Sequence, residues 1–400
     1  MTRKRNRFRH LPPTAVPINS TDLQAGLRAS ETNLAQFQAA LATYLGVDQS
    51  ACKLASSGRT ALYSLLRGLI TKSPSRRQVI MPAYTCPAVA RVVLDLALQP
   101  VFVDISMQTM EYLPEQLATA VGAGTLAIVL VHPFGISLAV DDVISVAHNA
   151  GAVVIEDAAQ ALGAKWDGKL AGTRGDFGLF SLGPGKPIST GGGGVAIANN
   201  KEDIPSLNDW WSDLPAVSST GSAAAWARQA AFQFAFHPRG WWAATRVGLH
   251  RVGNHETSWG YSIRGLTASQ AGVGLSLLPR LDEINAQRRL KANRLREVIE
   301  QAHSLINFTV ANPDESIFLR FPLLADSEEL RERLYNQLWA AGIGAGRLYE
   351  QTLPTIFSTT DTASYPGAEA VAGRLLTLPT HHYVTSDDLQ TMCEILLNFS

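Results

Sequence analysis

The chain has 400 residues, 46% hydrophobic and 17% charged, a length that suggests two or three domains. Lys+Arg and Asp+Glu balance at 34 each, so no global field points to nucleic acid. Three cysteines, Cys52, Cys86 and Cys393, cannot build a disulfide framework and fit a reducing cytoplasm.

The basic head MTRKRNRFRHLPPT lacks the apolar run of a signal peptide. Residues 1–24 are expected as an N-terminal arm, solvated or docked on a partner, with a nucleic-acid or membrane-surface arm as the alternative. Residues 31–45 place Leu34, Phe37, Leu41, Tyr44 and Leu45 on one helical face, and Gly46 ends that helix. TALYSLLRGLI is helical. RQVIMPAYT, QPVFVDI, TLAIVLVHPFG and GAVVIED are short Val/Ile-rich runs ending in polar or turn residues, with the helical LAVDDVISVAHNAG between the last two. Near-continuous apolar strands separated by helices predict a mostly parallel sheet covered on both faces. Ligands of such sheets bind beyond the strands' carboxyl ends, where Tyr84, His132 and Asp157 fall.

Composition shifts after residue 200. Residues 205–250 hold five of the eight tryptophans: Trp210, Trp211, Trp226, Trp241 and Trp242. Three readings stand for them: core under a site's rim, a dimer interface or lid, or a membrane-surface contact. The reading adopted is a buried role, partly between protomers, that shapes a substrate pocket. A long helical pattern from Thr267 breaks at Pro279. SIFLRFPLL (strand), ELRERLYNQLWAAG (helix), LLTLP (strand) and DDLQTMCEILLNF (helix) complete a smaller α/β domain. The domains are therefore expected at 25–275 and 276–400.

The chemistry gathers around Lys186 in FSLGPGKPISTGGGG, residues 180–194. Asp157 ends a buried strand upstream, Gln160 follows it by three residues, and Ser181 precedes the lysine by five. A lysine that can lose its proton, a strand-end carboxylate and nearby hydroxyls make a pyridoxal 5′-phosphate (PLP) constellation. Asp157 would face the ring nitrogen, while Glu156 points the other way by strand alternation. Gln160 reaches the cofactor's 3′-oxygen if a helix begins at Asp157. In ASSGRTAL, Ser57 caps a helix, Gly58 allows close approach, and Arg59 adds a guanidinium for phosphate. Tyr84 is a ring to stack on the pyridine or a core tyrosine. Cys86 shares its face if the segment is extended. His132 is a polar group at the cofactor or a structural histidine. No metal site is expected.

Together these residues resemble the DegT/StrS-type nucleotide-sugar aminotransferases, a fold-type I PLP family. The resemblance runs from about residue 25 to the C-terminus. It is strongest in VIEDAAQALGAKWDGKLAGTRGDFGLFSLGPGKPISTGGGGVAIAN. It implies Lys186 as the Schiff-base lysine, Asp157 on the ring nitrogen, Gln160 near the 3′-oxygen and Ser181 on the phosphate. Ser57, Gly58, Arg59, Tyr84, Cys86 and Ser262 join the cofactor side; His132, Arg264 and Tyr349 are placed on the substrate side. It further implies a homodimer with shared sites, glutamate or glutamine as amino donor, and a keto sugar nucleotide as acceptor. Polysaccharide or natural-product biosynthesis is the corresponding setting. Alternatives are a regulatory PLP-binding protein on the same scaffold, or an enzyme acting on a non-sugar carbonyl.

The chain departs from the family pattern at four places: Gly58-Arg59 for Gly-Thr, Cys86 for an aromatic residue, Gly192-Gly193-Gly194 for Glu-Gly-Gly, and Gly260-Tyr261-Ser262-Ile263-Arg264 for Gly-x-Asn-x-Arg. Relatives with histidine in place of the lysine catalyse dehydration, a branch that Lys186 argues against.

Overall fold

The computed structural model describes residues 8–248, 260–302, 304–357 and 363–398. Helices α1 (Ser20–Leu27) and α2 (Thr32–Leu45) precede strand β1 (Cys52–Ala55). Then α3 (Gly58–Lys72) leads to β2 (Gln78–Pro82), α4 (Pro87–Asp95) to β3 (Gln99–Val103), α5 (Pro114–Ala120) to β4 (Thr125–Val131), and α6 (Asp141–Asn149) to β5 (Val153–Asp157). A short hairpin of β6 (Lys165–Trp166) and β7 (Lys169–Leu170) comes before β8 (Phe177–Ser181) and β9 (Gly194–Ala198).

The large sheet has the order β1-β9-β8-β5-β4-β2-β3. β3, β2, β4, β5 and β8 run parallel, and β9 is antiparallel to both β8 and β1. Alternate residues of its apolar strands feed two cores. Val79, Met81, Val129 and Ile155 join Leu62, Leu65 and Leu66 of α3 on one face. Ile80, Ile128, Leu130 and Val154 join Val143 and Ala147 of α6 on the other. This two-sided burial is what makes the strands read as continuous apolar runs.

Three helices cover the 205–250 segment: α7 (Ile204–Ser212), α8 (Ser219–Ala235) and α9 (Pro238–Arg246); residues 249 and 250 lie outside the described residues. Helices α10 (Ala268–Leu277) and α11 (Leu281–Ile299) come next, with a 3₁₀ turn at Leu278–Arg280 around Pro279 between them. α10 opens with a reciprocal cap between Thr267 and Gln270. The remainder comprises β10 (Leu305–Asn307), β11 (Arg320–Ala325), α12 (Glu328–Ala340), α13 (Leu353–Ile356), α14 (Pro366–Arg374), β12 (Leu375–Pro379) and α15 (Ser386–Leu397). Its strands form an antiparallel sheet, β10-β11-β12.

The N-terminal arm corrects one expectation. Residues 1–7 lie outside the described residues, but the arm from Arg9 onward is packed into its own chain. Leu11 is fully buried, and Val16 and Ile18 are buried with it. Both terminal nitrogens of Arg9 meet the Asp388 carboxylate at 2.7 Å. Ser20–Leu27 is already helical and packs on α10.

Candidate active site

The parallel strands and β1 end on one edge of the sheet, and the sequence motifs meet there. Asp157 closes β5, His132 follows β4, Tyr84 follows β2, Ser181 closes β8, and Ser57 follows β1. Lys186 lies in the turn between Ser181 and Gly194, at that edge. The geometry therefore brings Lys186, Asp157, Ser181, Ser57, Gly58 and Arg59 into one neighbourhood.

Asp157 is 7% exposed and accepts a 2.9 Å bond from the Ala159 N–H. Burial pushes its carboxyl above the usual carboxylate value; the Ala159 N–H and the nearby Lys186 charge pull it partly back. A buried carboxylate so placed is suited to a cationic N–H partner. Glu156 points the opposite way, as strand alternation predicts. It accepts backbone N–H groups of Gly172 at 2.9 Å, Arg174 at 2.6 Å and Gly175 at 2.5 Å. Burial alone would raise its pKa, yet the His132 hydrogen bond and these N–H groups hold it below the ordinary glutamate value.

His132 belongs to that second face. Its Nδ1 accepts the Leu138 N–H at 3.1 Å, so Nε2 carries the proton and donates to Glu156 at 2.9 Å. The ring is 0% exposed with both nitrogens in use. His132 therefore has a structural part, and the substrate-side placement has no ring atom to serve it.

The start of α3 builds a cradle. Ser57 is its N-cap, accepting the Thr60 N–H at 3.1 Å. A side chain added at Gly58 would put its Cβ 3.3 Å from the Ser181 Cβ and 3.5 Å from its Oγ. The Ser181 hydroxyl thus stands over the first turn of a helix, where N–H groups and the helix dipole favour an anion. Gly194 must be glycine, because a Cβ there would collide with the Ser57 carbonyl. This donor set fits a phosphate, and the buried Asp157 fits a protonated pyridine nitrogen, so the residues present suit PLP.

Other expected residues sit differently. Residues 158–160 form a loop and turn with no helix, so Gln160 does not follow Asp157 on a helical face; it is half-buried. Tyr84 is buried in the apolar core, and its hydroxyl donates to the Leu348 carbonyl and accepts the Tyr349 N–H. That hydroxyl ties β2 to the chain before α13. It also brings Tyr349, whose ring lies 6.0 Å from that of Tyr84, to the site's edge. Cys86 is half-buried at the N-cap of α4, with no disulfide. Ser262 is exposed; its carbonyl oxygen accepts Ser56 Oγ at 2.5 Å and Thr60 Oγ1 at 3.0 Å. Arg264 is half-buried and its carbonyl oxygen accepts the Ser56 N–H at 2.9 Å, so this segment lies on its own chain's α3. The Arg59 guanidinium stands 5.5 Å from the centre of the Tyr261 ring.

Sequence reasoning missed a second layer around the lysine turn. Gln229 of α8 is 2% exposed, and its Oε1 fills the space that a Cβ on Gly191 would need. Gln270 Nε2 and Arg228 Nη2 lie 3.0 and 3.3 Å from the corresponding point on Gly192. Only the run of glycines signalled this close packing.

A family model for the DegT/DnrJ/EryC1/StrS aminotransferases matches residues 21–397. The chain is 26% identical to GDP-perosamine synthase of Escherichia coli O157:H7, covering 86% of this chain and 84% of that protein. It is 28% identical to a dTDP-4-dehydro-2,6-dideoxy-D-glucose 3-dehydratase of Saccharopolyspora spinosa, covering 80% and 69%. Its fold matches a PLP-form structure of the putative sugar aminotransferase Spr1654 of Streptococcus pneumoniae, with a TM-score of 0.74, 21% identity and 98% of each chain covered.

Proposed function

The chain belongs to the DegT/DnrJ/EryC1/StrS aminotransferase family and is a fold-type I, PLP-dependent aminotransferase; from that premise we propose that it moves an amino group from glutamate or glutamine to the carbonyl of a keto sugar nucleotide. The carrying observation is the strand-end pair. Asp157 is buried, with its carboxyl raised, close to Lys186 and on the same sheet edge as an anion cradle.

When bound, PLP supplies an aldehyde that takes the amino group and a ring that delocalises the electrons left when the donor's α-proton departs. Lys186 would hold the cofactor through its amine and, once freed, would serve as the base and acid that moves the donor's α-proton. Asp157 holds the proton on the ring nitrogen. Ser57, Gly58, Arg59 and Ser181 would orient the phosphate, and Gln160 and Cys86 are kept as cofactor-side residues from the family resemblance. Tyr349 and Arg264 would face the substrate and Ser262 the cofactor, beside its own chain's α3; the sites would be shared in a homodimer. The large domain is assigned to 25–275 and the small one to 276–400. Cysteine usage supports a cytoplasmic location.

The test is a half-reaction screen: PLP-loaded protein is mixed with single amino acids and the absorbance of bound cofactor is followed. Glutamate or glutamine should convert it, and a keto sugar nucleotide should convert it back. Lys186→Ala should abolish both conversions. Full conversion by that variant would sink the assignment.

A further inference from the structure

The carbonyl oxygens on both sides of Lys186 are contacted by distant parts of the chain. Arg288 of α11 is 1% exposed, and its Nη1 donates to the Pro187 carbonyl oxygen at 3.2 Å and to Asn285 Oδ1 at 3.0 Å. These partners are neutral oxygens, so this desolvated cation is held by amide dipoles, one of them next to the lysine. On the other side, Thr14 is buried at 6% exposure and its Oγ1 donates to the Gly185 carbonyl oxygen at 3.3 Å. Gly185 has φ +75°, and a Cβ there would lie 2.7 Å from Thr14 Cγ2, so the arm rests directly on the turn.

The arm is itself fixed. Arg9 grips Asp388 and donates to the Tyr383 carbonyl at 2.7 Å. The Leu11 N–H meets the Gly342 carbonyl at 2.9 Å. His381 is fully buried, and burial lowers its pKa to about 3, so its ring is neutral and Nε2–H donates to the Pro12 carbonyl at 2.9 Å. α11 and the arm therefore meet the Lys186 turn directly, and the segment after β12 holds the arm.

We infer that Thr14 and Arg288 are positioning residues for Lys186: bracing Gly185 and Pro187 holds the amine in the one place from which it serves the site. The inference rests on the proposed role of Lys186. A lysine in a glycine-rich turn has many conformations to lose. A misplacement near 1 Å costs a large rate factor without weakening substrate binding equally. The brace acts on the turn, so its loss falls on kcat rather than on the donor KM.

The variants are Thr14→Gly, Thr14→Val and Arg288→Lys, measured alongside the parent chain. Two readouts are used: donor half-reaction kinetics, and amide hydrogen exchange of the cofactor-free protein. Thr14→Gly and Arg288→Lys should each lower kcat roughly tenfold with donor KM little changed. Exchange should rise locally across residues 183–190. Thr14→Val keeps the packed Cγ2 contact on Gly185 and loses only the hydrogen bond, so its kcat should fall between those of Thr14→Gly and the parent. Parent-like exchange across 183–190 in both Thr14→Gly and Arg288→Lys overturns the inference. A uniform rise over the whole chain also overturns it, since that marks lost stability alone. Failure of the Lys186 role itself would look different: borohydride reduction of the loaded parent chain would leave no cofactor mass on the peptide containing Lys186.

Discussion

His132 and Glu156 share a fully buried hydrogen bond of 2.9 Å, one residue away from Asp157 on the same strand. Strand alternation sends the two carboxylates to opposite faces, and each face gives its carboxylate different partners. Glu156 has a histidine N–H and three backbone N–H groups; Asp157 has one N–H and the nearby charge of Lys186. One carboxylate holds the loop before β8, and its neighbour is left for chemistry.

Glu156→Gln should therefore destabilise the chain by about 2 kcal/mol, because the amide accepts fewer of those bonds and loses the charge. The sign with pH comes from its depressed folded pKa. Its contribution is fully present above the unfolded glutamate value, about 4.3, and is lost as pH falls through the lower folded value. Denaturant melts of parent and variant should converge at acid pH. A gap that persists unchanged into acid would refute the charge argument.

Asp157→Asn should act in the reverse direction on the cofactor-free chain. The folded pKa of Asp157 is raised, so its contribution is present below the unfolded value, near 3.9, and is lost as pH rises through the folded value. At neutral pH the carboxylate is thus a burden until a ring N–H⁺ neutralises it. The variant should raise the stability of cofactor-free protein by about 1 kcal/mol. It should also lose ~10²-fold in kcat, about 2.7 kcal/mol of barrier. A variant that is both less stable without cofactor and near-normal in turnover would assign Asp157 a structural role.

The sheet and its catalytic edge were legible because continuous Val/Ile runs specify parallel strands and polar residues punctuate their ends. β8 and β9 carry a weaker signal, since FGLFS and GVAIA are short and flank a glycine-rich turn that reads as loop. The Asp-x-x-Gln spacing puts Gln160 beside Asp157 only if a helix begins there; the chain instead turns toward the β6–β7 hairpin. The His132–Glu156 lock joins residues far apart in sequence, and no periodicity announces such a pair. Arg288 sits in the charged run AQRRLKANR, which reads as a solvated face, yet α11 turns it fully inward.

Arg59 occupies the second residue of α3, above the cradle, with its guanidinium leaning on Tyr261. A guanidinium offers directed donors to a phosphate. Arg59→Ala should raise the PLP dissociation constant about tenfold or more, equivalent to about 1.4 kcal/mol. Fluorescence titration reads this directly, and inorganic phosphate should compete more strongly with PLP in the parent than in the variant. An unchanged dissociation constant would leave Arg59 as a packing partner of Tyr261.

The tryptophan-rich helices make the last prediction. Trp211 is 9% exposed and donates to the Leu54 carbonyl of β1 at 3.0 Å, and Trp226 donates to the Leu23 carbonyl at 2.8 Å. Trp210 lies across Gly68 of α3, where an added Cβ would collide with the indole, and its ring is 5.7 Å from that of Phe177. These rings fasten α7 and α8 onto the large sheet domain instead of facing a bilayer, and among the described residues no helix is long and apolar enough to cross one. Gly68→Ala should push Trp210 off its seat and destabilise the chain by about 2 kcal/mol through overpacking. Near-ultraviolet circular dichroism should report the displaced indole, while vesicle co-sedimentation at moderate salt stays at background for parent and variant alike. Strong vesicle binding by the parent, lost on Trp241→Ala with Trp242→Ala, would reverse this reading, because α9 carries those two half-buried indoles with the basic residues Arg239 and Arg246 beside them.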